Sequence, residues 1–168
     1  MNVLPGMRLF QIRGVPVYVH WSVLLLIPIV CVIEKSLLTA FLGTLACTVV
    51  IAVHELGHAA VARRFGLRVR SLRLALLAGQ CVVETPRSKR AHVAIAWGGV
   101  AAQLVLGVVT WVVAMSCAAA NVRIPSVLNP FFAVFELLNP FIAACNLLPI
   151  RPFDGAAAWG LHPLRAVQ

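Results

Sequence analysis

Acidic side chains are the scarcest resource of this chain: its 168 residues hold five Asp and Glu against fourteen Lys and Arg, and charged residues make up 11%. Ordinary soluble domains are about 25% charged, so a water-faced globule is excluded. Paired cysteines are missing too. Cys31, Cys47, Cys81, Cys117 and Cys145 each stand alone in apolar surroundings, which excludes a C-x-x-C thiolate zinc site and a disulfide frame. Nor is there length for an appended soluble module, so residues 1–168 are read as one domain. Apolar residues fill the space, at 61% of the chain. The class is therefore an all-α polytopic membrane protein in contact with the lipid bilayer.

Hydropathy predicts about four transmembrane helices, over 17–33, 36–62, 93–118 and 127–150. No small-residue cleavage pattern follows the first, so it is read as a retained helix and not a signal peptide. The net charge of +9 does not imply nucleic acid, because the basic residues are segregated. With the N-terminus inside, Arg8, Arg13, Arg63, Arg64, Arg68, Arg70, Arg73, Arg87, Lys89, Arg90, Arg151 and Arg165 share the inner side, leaving Lys35 and Arg123 outside. That asymmetry predicts an integral membrane protein with both termini on the cytoplasmic side. Between Arg63 and Arg90, Leu67, Val69, Leu72 and Leu74 alternate with Arg68, Arg70 and Arg73. The alternation predicts a short membrane-associated extended segment between helices two and three, with Gly66 and Gly79 as bends; a basic surface loop is the alternative.

Within the second span lies His54-Glu55-Leu56-Gly57-His58. Histidines at i and i+4 project from one helix face and can share a metal, while the intervening glutamate can reach a metal-associated water without being a ligand. Interhelical hydrogen bonding or haem ligation are the alternatives for such histidines. Three ionisable groups within five residues at bilayer depth favour the metal, because each needs a compensating partner.

The fourth span offers the complement. Glu136, Asn139, Ala143 and Asn146 recur at spacings of three, four and three, a polar face that should look at protein or water. Pro149, Pro152 and Gly155 then break the helix and let Asp154 be presented from irregular backbone at the inner side. Asp154, Glu84, His92 and His162 are the candidates for a third ligand. Asp154 is preferred for its depth and its Pro/Gly frame. Two histidines, one carboxylate and an open position are the ligand set of a catalytic zinc. In the third span Gly98, Gly99, Ala101, Ala102 and Gly107 allow close helix approach, and Gln103 among them needs a polar partner.

These residues together resemble the site-2 protease family of intramembrane zinc metalloproteases, particularly the compact branch related to sporulation-factor processing enzymes. Gly14-Val15-Pro16-Val17-Tyr18-Val19-His20-Trp21 is similar to that branch's entry into its first helix, HELGH to its zinc motif, and Asn146 through Gly155 to its Asn-x-x-Pro…Asp-Gly motif. The resemblance implies one zinc ion held by His54, His58 and Asp154, with Glu55 as catalytic base. Asn146, Gln103 and Gly99 would hold the opened substrate or orient a ligand. The family's Gly-Pro-x-x-Asn stands here as Gly99-Val100-Ala101-Ala102-Gln103, which keeps an amide and loses the proline. The implied activity is zinc-dependent endopeptidase cleavage of a transmembrane segment in a membrane-protein substrate, as in regulated intramembrane proteolysis. Because the chain stops fourteen residues after Asp154, an activating or gating membrane partner is expected. An inactive, membrane-protein-binding pseudoprotease and a metal-transport protein are the alternative classes.

Overall fold

The structure is a computed structural model that describes residues 6–34, 36–76 and 78–161. His162, Lys35 and Arg165 lie outside the described residues. Two strands open the chain, β1 (Met7–Ile12) and β2 (Val15–Val19), followed by a 3-10 turn at Trp21–Leu25 and helix α1 (Leu26–Glu34). Helix α2 (Leu37–Arg64) leads to β3 (Val69–Ala75) and β4 (Ala78–Val83), then to α3 (Lys89–Ala119). The last rod joins α4 (Asn129–Ala133), a π turn (Val134–Leu138) and α5 (Asn139–Asn146), and a one-turn helix α6 (Gly155–Ala158) follows.

The all-α expectation is corrected by a four-stranded sheet in the order β1-β2-β3-β4. Arg13 and Gly14, both at positive φ (48° and 82°), form the two-residue turn that closes the β1–β2 hairpin, as the twist of antiparallel strands requires. β2 then runs parallel to β3, pairing Val17 with Leu72 and Val19 with Leu74. A parallel pair needs a long crossover, and α1 with α2 supplies it. The extended reading of the basic segment is therefore the one the structure shows. Gly66, at φ +73°, ends α2 as expected of a bend, with Gly66 N–H donating to Arg63 O and Leu67 N–H to Ala62 O. Gly79 does not bend the chain: it lies inside β4 opposite Leu74.

The span count changes with the sheet. Among the described residues, three helical segments are long and apolar enough to cross a membrane, Leu37–Arg64, Lys89–Ala119 and Ser126–Asn146. The expected first span over 17–33 is divided, because Val15 and Val17 are buried strand positions and only Trp21–Ile33 remains as a shorter apolar helix. At about 1.5 Å per residue that helix falls well short of an apolar core of about 30 Å.

The sheet packs on the C-terminal half of α2. Val15, Val17, Leu72, Leu74, Cys81 and Val83 share a buried cluster with Ile51, Ala59, Ala62 and Ile95. Arg73 lies over the Tyr18 ring, 4.8 Å from its centroid, and Arg63 donates to the Arg13 carbonyl at 2.9 Å. These contacts keep basic residues at the same end of the helices as the hairpin. Helices α2 and α3 cross where Gly57 faces Gly98: a Cβ on either glycine would run into the other's carbonyl. The absence of side chains there lets the backbones meet.

Candidate metal centre

Burial encloses the H-E-x-x-H turn. His54, Glu55 and His58 are 7%, 4% and 3% exposed, and their ligand atoms lie within 4.8 Å of one another. Asp154 arrives from the turn after the last rod, with Oδ2 at 2.8 Å from His54 Nε2 and 3.1 Å from His58 Nε2. The two Nε2 atoms are 2.9 Å apart. The structure therefore brings Asp154 to the two histidines across 100 residues of sequence. It does not bring Glu84, which accepts from Arg68 N–H at 3.2 Å beside the sheet, or His92, on the first turn of α3; neither joins the cluster among the described residues.

The other nitrogen of each ring decides what the cluster is for. His58 Nδ1–H donates to the Ile95 carbonyl at 2.7 Å, and His54 Nδ1–H donates to Gln103 Oε1 at 2.8 Å. Both partners are acceptors, so in the neutral rings the proton sits on Nδ1 and the lone pair on Nε2. Two lone pairs and a carboxylate oxygen then converge with no proton of their own to share. A cation resolves that arrangement. Ligands around one tetrahedral zinc at about 2.0–2.1 Å sit about 3.3 Å apart, close to the 2.8–3.1 Å observed here. The donor set fits one zinc ion.

Each further sequence candidate has a definite place. A Cβ on Gly99 would sit 2.6 Å from His58 Nε2 and 2.7 Å from His54 Nε2, so only glycine lets α3 lie across the imidazoles. Gln103 is 1% exposed, and besides His54 its Oε1 meets Asn146 Nδ2 at 3.5 Å. The amide that departs from the Gly-Pro-x-x-Asn pattern is thus bonded to a zinc-motif histidine. Asn146 lines the same cavity of about 200 Å³ as His54, Glu55, His58, Gln103 and Asp154. On the rod's polar face, Asn139 and Ala143 are buried as expected, but Glu136 is exposed. Pro140 has no N–H for the carbonyl of residue 136 four positions back, and the wider π turn there takes Glu136 off the stripe.

Two features carry no signal in the sequence pattern. Gly79 faces Glu55 so closely that a Cβ would collide with the carboxylate, and Glu55 also accepts from the Cys81 backbone N–H. No local pattern announces a contact between a strand glycine and a helix 24 residues earlier. The second is the support of the Asp154 turn. Trp159 Nε1–H donates to Leu147 O at 2.7 Å and Trp97 Nε1–H to Ala158 O at 3.2 Å, with the two rings edge-to-face at 5.5 Å.

No family model matches the chain. It is 27% identical over 154 residues to a zinc metalloprotease of Methanocaldococcus jannaschii, covering 89% of this chain and 43% of that protein. It is 31% identical over 175 residues to putative zinc metalloprotease Rip3 of Mycobacterium tuberculosis, covering 90% and 43%. Stage IV sporulation protein FB of Bacillus subtilis is 31% identical over 123 residues, covering 71% and 40%. The chain thus spans less than half the length of the curated relatives it matches. Its fold matches that of a site-2 protease from Methanocaldococcus jannaschii with a TM-score of 0.74 at 23% identity, covering 92% of this chain and 70% of that one. Taken with the buried histidine–aspartate cluster, these likenesses place the chain in the site-2 protease family of zinc metalloproteases.

Proposed function

We propose that this protein is a zinc-dependent intramembrane endopeptidase that cleaves a transmembrane segment of another membrane protein. The observation that carries the reading is the convergence of His54 Nε2, His58 Nε2 and Asp154 Oδ2 within 3.1 Å, each imidazole oriented by an acceptor on its Nδ1. Those three atoms would hold the metal. Held there, zinc would polarise a scissile carbonyl and bring the pKa of water toward about 7.

Glu55 is one residue along the helix from His54 and lines the same cavity without sharing the Asp154 contact. It takes the proton from the attacking water and delivers it to the leaving amine nitrogen, as base and then acid. Gly79 and the Cys81 N–H hold the carboxylate in place for both transfers. Asn146 reaches the cavity beside Gln103, where its amide can bond an opened substrate backbone.

A transmembrane helix must unwind before attack, since its carbonyls are hydrogen-bonded. Strand addition can hold the unwound stretch. β3 is flanked by β2 and β4, whereas β4 ends the sheet, and Ala78 and Gly79 at its start line the cavity. The receiving edge is therefore β4. The protein lies in a bacterial cell membrane with both termini and the sheet on the cytoplasmic side, a reading supported by the segregation of basic residues.

Purified protein in lipid, assayed against a panel of single-span substrates, tests the activity. Glu55→Gln should keep zinc and the fold yet lose cleavage by about a hundredfold or more, the usual contribution of a general base. Cleavage by Glu55→Gln at the wild-type rate would overturn the mechanism.

A further inference from the structure

Glu136 is a carboxyl group where a membrane-spanning helix tolerates one least. It stands ten residues from either end of the Ser126–Asn146 rod, about 15 Å of helix in each direction, hence near mid-bilayer. Ionisable groups at that depth ordinarily face a bundle interior and pair. Glu136 instead is exposed, on the π turn, and makes no hydrogen bond or ion pair among the described residues.

It opens onto a groove of about 240 Å³ between α3 and the rod. Leu104, Val108 and Trp111 form one wall, 50%, 62% and 56% exposed, and Gly107 keeps the floor low. Asn139 sits in that floor, 1% exposed. Its Nδ2–H donates to the Gln103 carbonyl at 2.8 Å, which fixes the amide orientation and leaves the buried Oδ1 without a partner. Glu136 is therefore an exposed acceptor in an apolar trough, without a donor among the described residues, above the buried Asn139 amide.

We propose that this groove docks a transmembrane helix of another membrane protein, which places a lysine or arginine side chain against Glu136. A cationic side chain supplies several N–H donors at once, so one residue satisfies both carboxylate oxygens of Glu136. Pairing also removes two isolated charges from lipid, the more costly state for each helix. The shape agrees, since Leu104, Val108 and Trp111 leave an open apolar wall against which a third helix can pack. Through Asn139 and Gln103 the dock lies two hydrogen-bonded residues from His54. The proposal does not depend on peptide-bond cleavage.

The test uses the whole chain, fluorescently labelled, in phosphatidylcholine vesicles with acceptor-labelled single-span peptides: a leucine-rich helix with one central Lys, and the same helix with Leu or Glu there. The Lys peptide should associate about tenfold more tightly than the Leu peptide, the size of one or two interhelical polar contacts in lipid, and the Glu peptide no better than Leu. Glu136→Gln and Glu136→Leu should reduce the Lys peptide to the Leu level while retaining wild-type zinc content, which reports an intact fold. Equal binding of Lys and Leu peptides, or undiminished Lys binding by Glu136→Leu, overturns the proposal. Energy transfer between copies of the chain that Glu136→Leu abolishes, without any peptide preference, assigns the groove to self-association and overturns it as well. Failure of every peptide to associate means that lipid alone fills the groove, and the docking proposal falls with it.

Discussion

Two glycines touch the centre from opposite sides, and they separate metal binding from proton transfer. Gly99 lies against the imidazole nitrogens, whereas Gly79 lies against the Glu55 carboxylate. Gly99→Ala should therefore lower zinc content, measured by metal analysis of the purified protein. Gly79→Ala should leave zinc content intact and slow cleavage by about tenfold or more, because a displacement near 1 Å at a reacting group can cost up to about a hundredfold. Replacing any of the proposed ligands, as His54→Ala, His58→Ala or Asp154→Ala, should lower zinc occupancy. Full zinc in Asp154→Ala would remove that residue from the site. Gln103→Leu takes away the acceptor on His54 Nδ1 and should weaken zinc binding by about 10–100-fold, the range for partners of metal-bound histidines. The chemistry at this scale is legible in the sequence wherever it rides on one helical turn, as at 54–58, or on a short irregular frame, as at Asp154. Gly79 is not legible, because its meaning comes from β4 meeting α2 and the surrounding Ala-Gly-Gln carries no periodic signal.

Elements rather than residues hold Asp154 in place. Helix α6 has four residues, too short to be stable alone, and Gly155 is pressed against the Leu147 and Leu148 carbonyls. The indoles of Trp97 and Trp159 supply the missing rigidity by fastening this turn to α3 and to the end of α5. Trp159→Phe keeps an aromatic ring and deletes one hydrogen bond worth about 0.5–1.5 kcal/mol. Zinc should then dissociate up to about tenfold faster into excess chelator, with the ligand set unchanged. An unchanged off-rate would mean that the turn is held by the backbone alone. The strands show why sequence reading stops short at this scale. β3 announces itself by alternating arginines, but β2 runs straight into the apolar Trp21–Ile33 helix, so hydropathy merges strand and helix into one apparent span. The parallel β2–β3 pairing, bridged by the α1–α2 crossover, has no local signature at all.

At the scale of the molecule, basic residues and metal site share one end of the bundle. Reporter fusions should accordingly place residues 63–92 and the C-terminus in the cytoplasm; an external reading for either would invert the topology and move the cleavage depth with it. The same end is where distant parts of the chain are tied together. Asp154 reaches α2 through His54 and His58, and α3 reaches α2 through Gln103 and the Ile95 carbonyl. A zinc ion shared by these groups binds the folded arrangement and not the separated helices, so its binding free energy adds to stability by mass action. With free zinc at 1,000 times its dissociation constant the gain is about 4 kcal/mol. Chelation should therefore lower the melting temperature of the detergent-solubilised protein, and restoring zinc should recover it. Glu55→Gln should show the full shift, because the role proposed for Glu55 is that of a base and not a ligand. Asp154→Ala should show little or none, since without its carboxylate the last rod is no longer coupled to the metal. A full shift in Asp154→Ala would instead mean that the two histidines of α2 close the site with another partner, and the crossing between α2 and the final turn would lose its role as the structural consequence of metal binding.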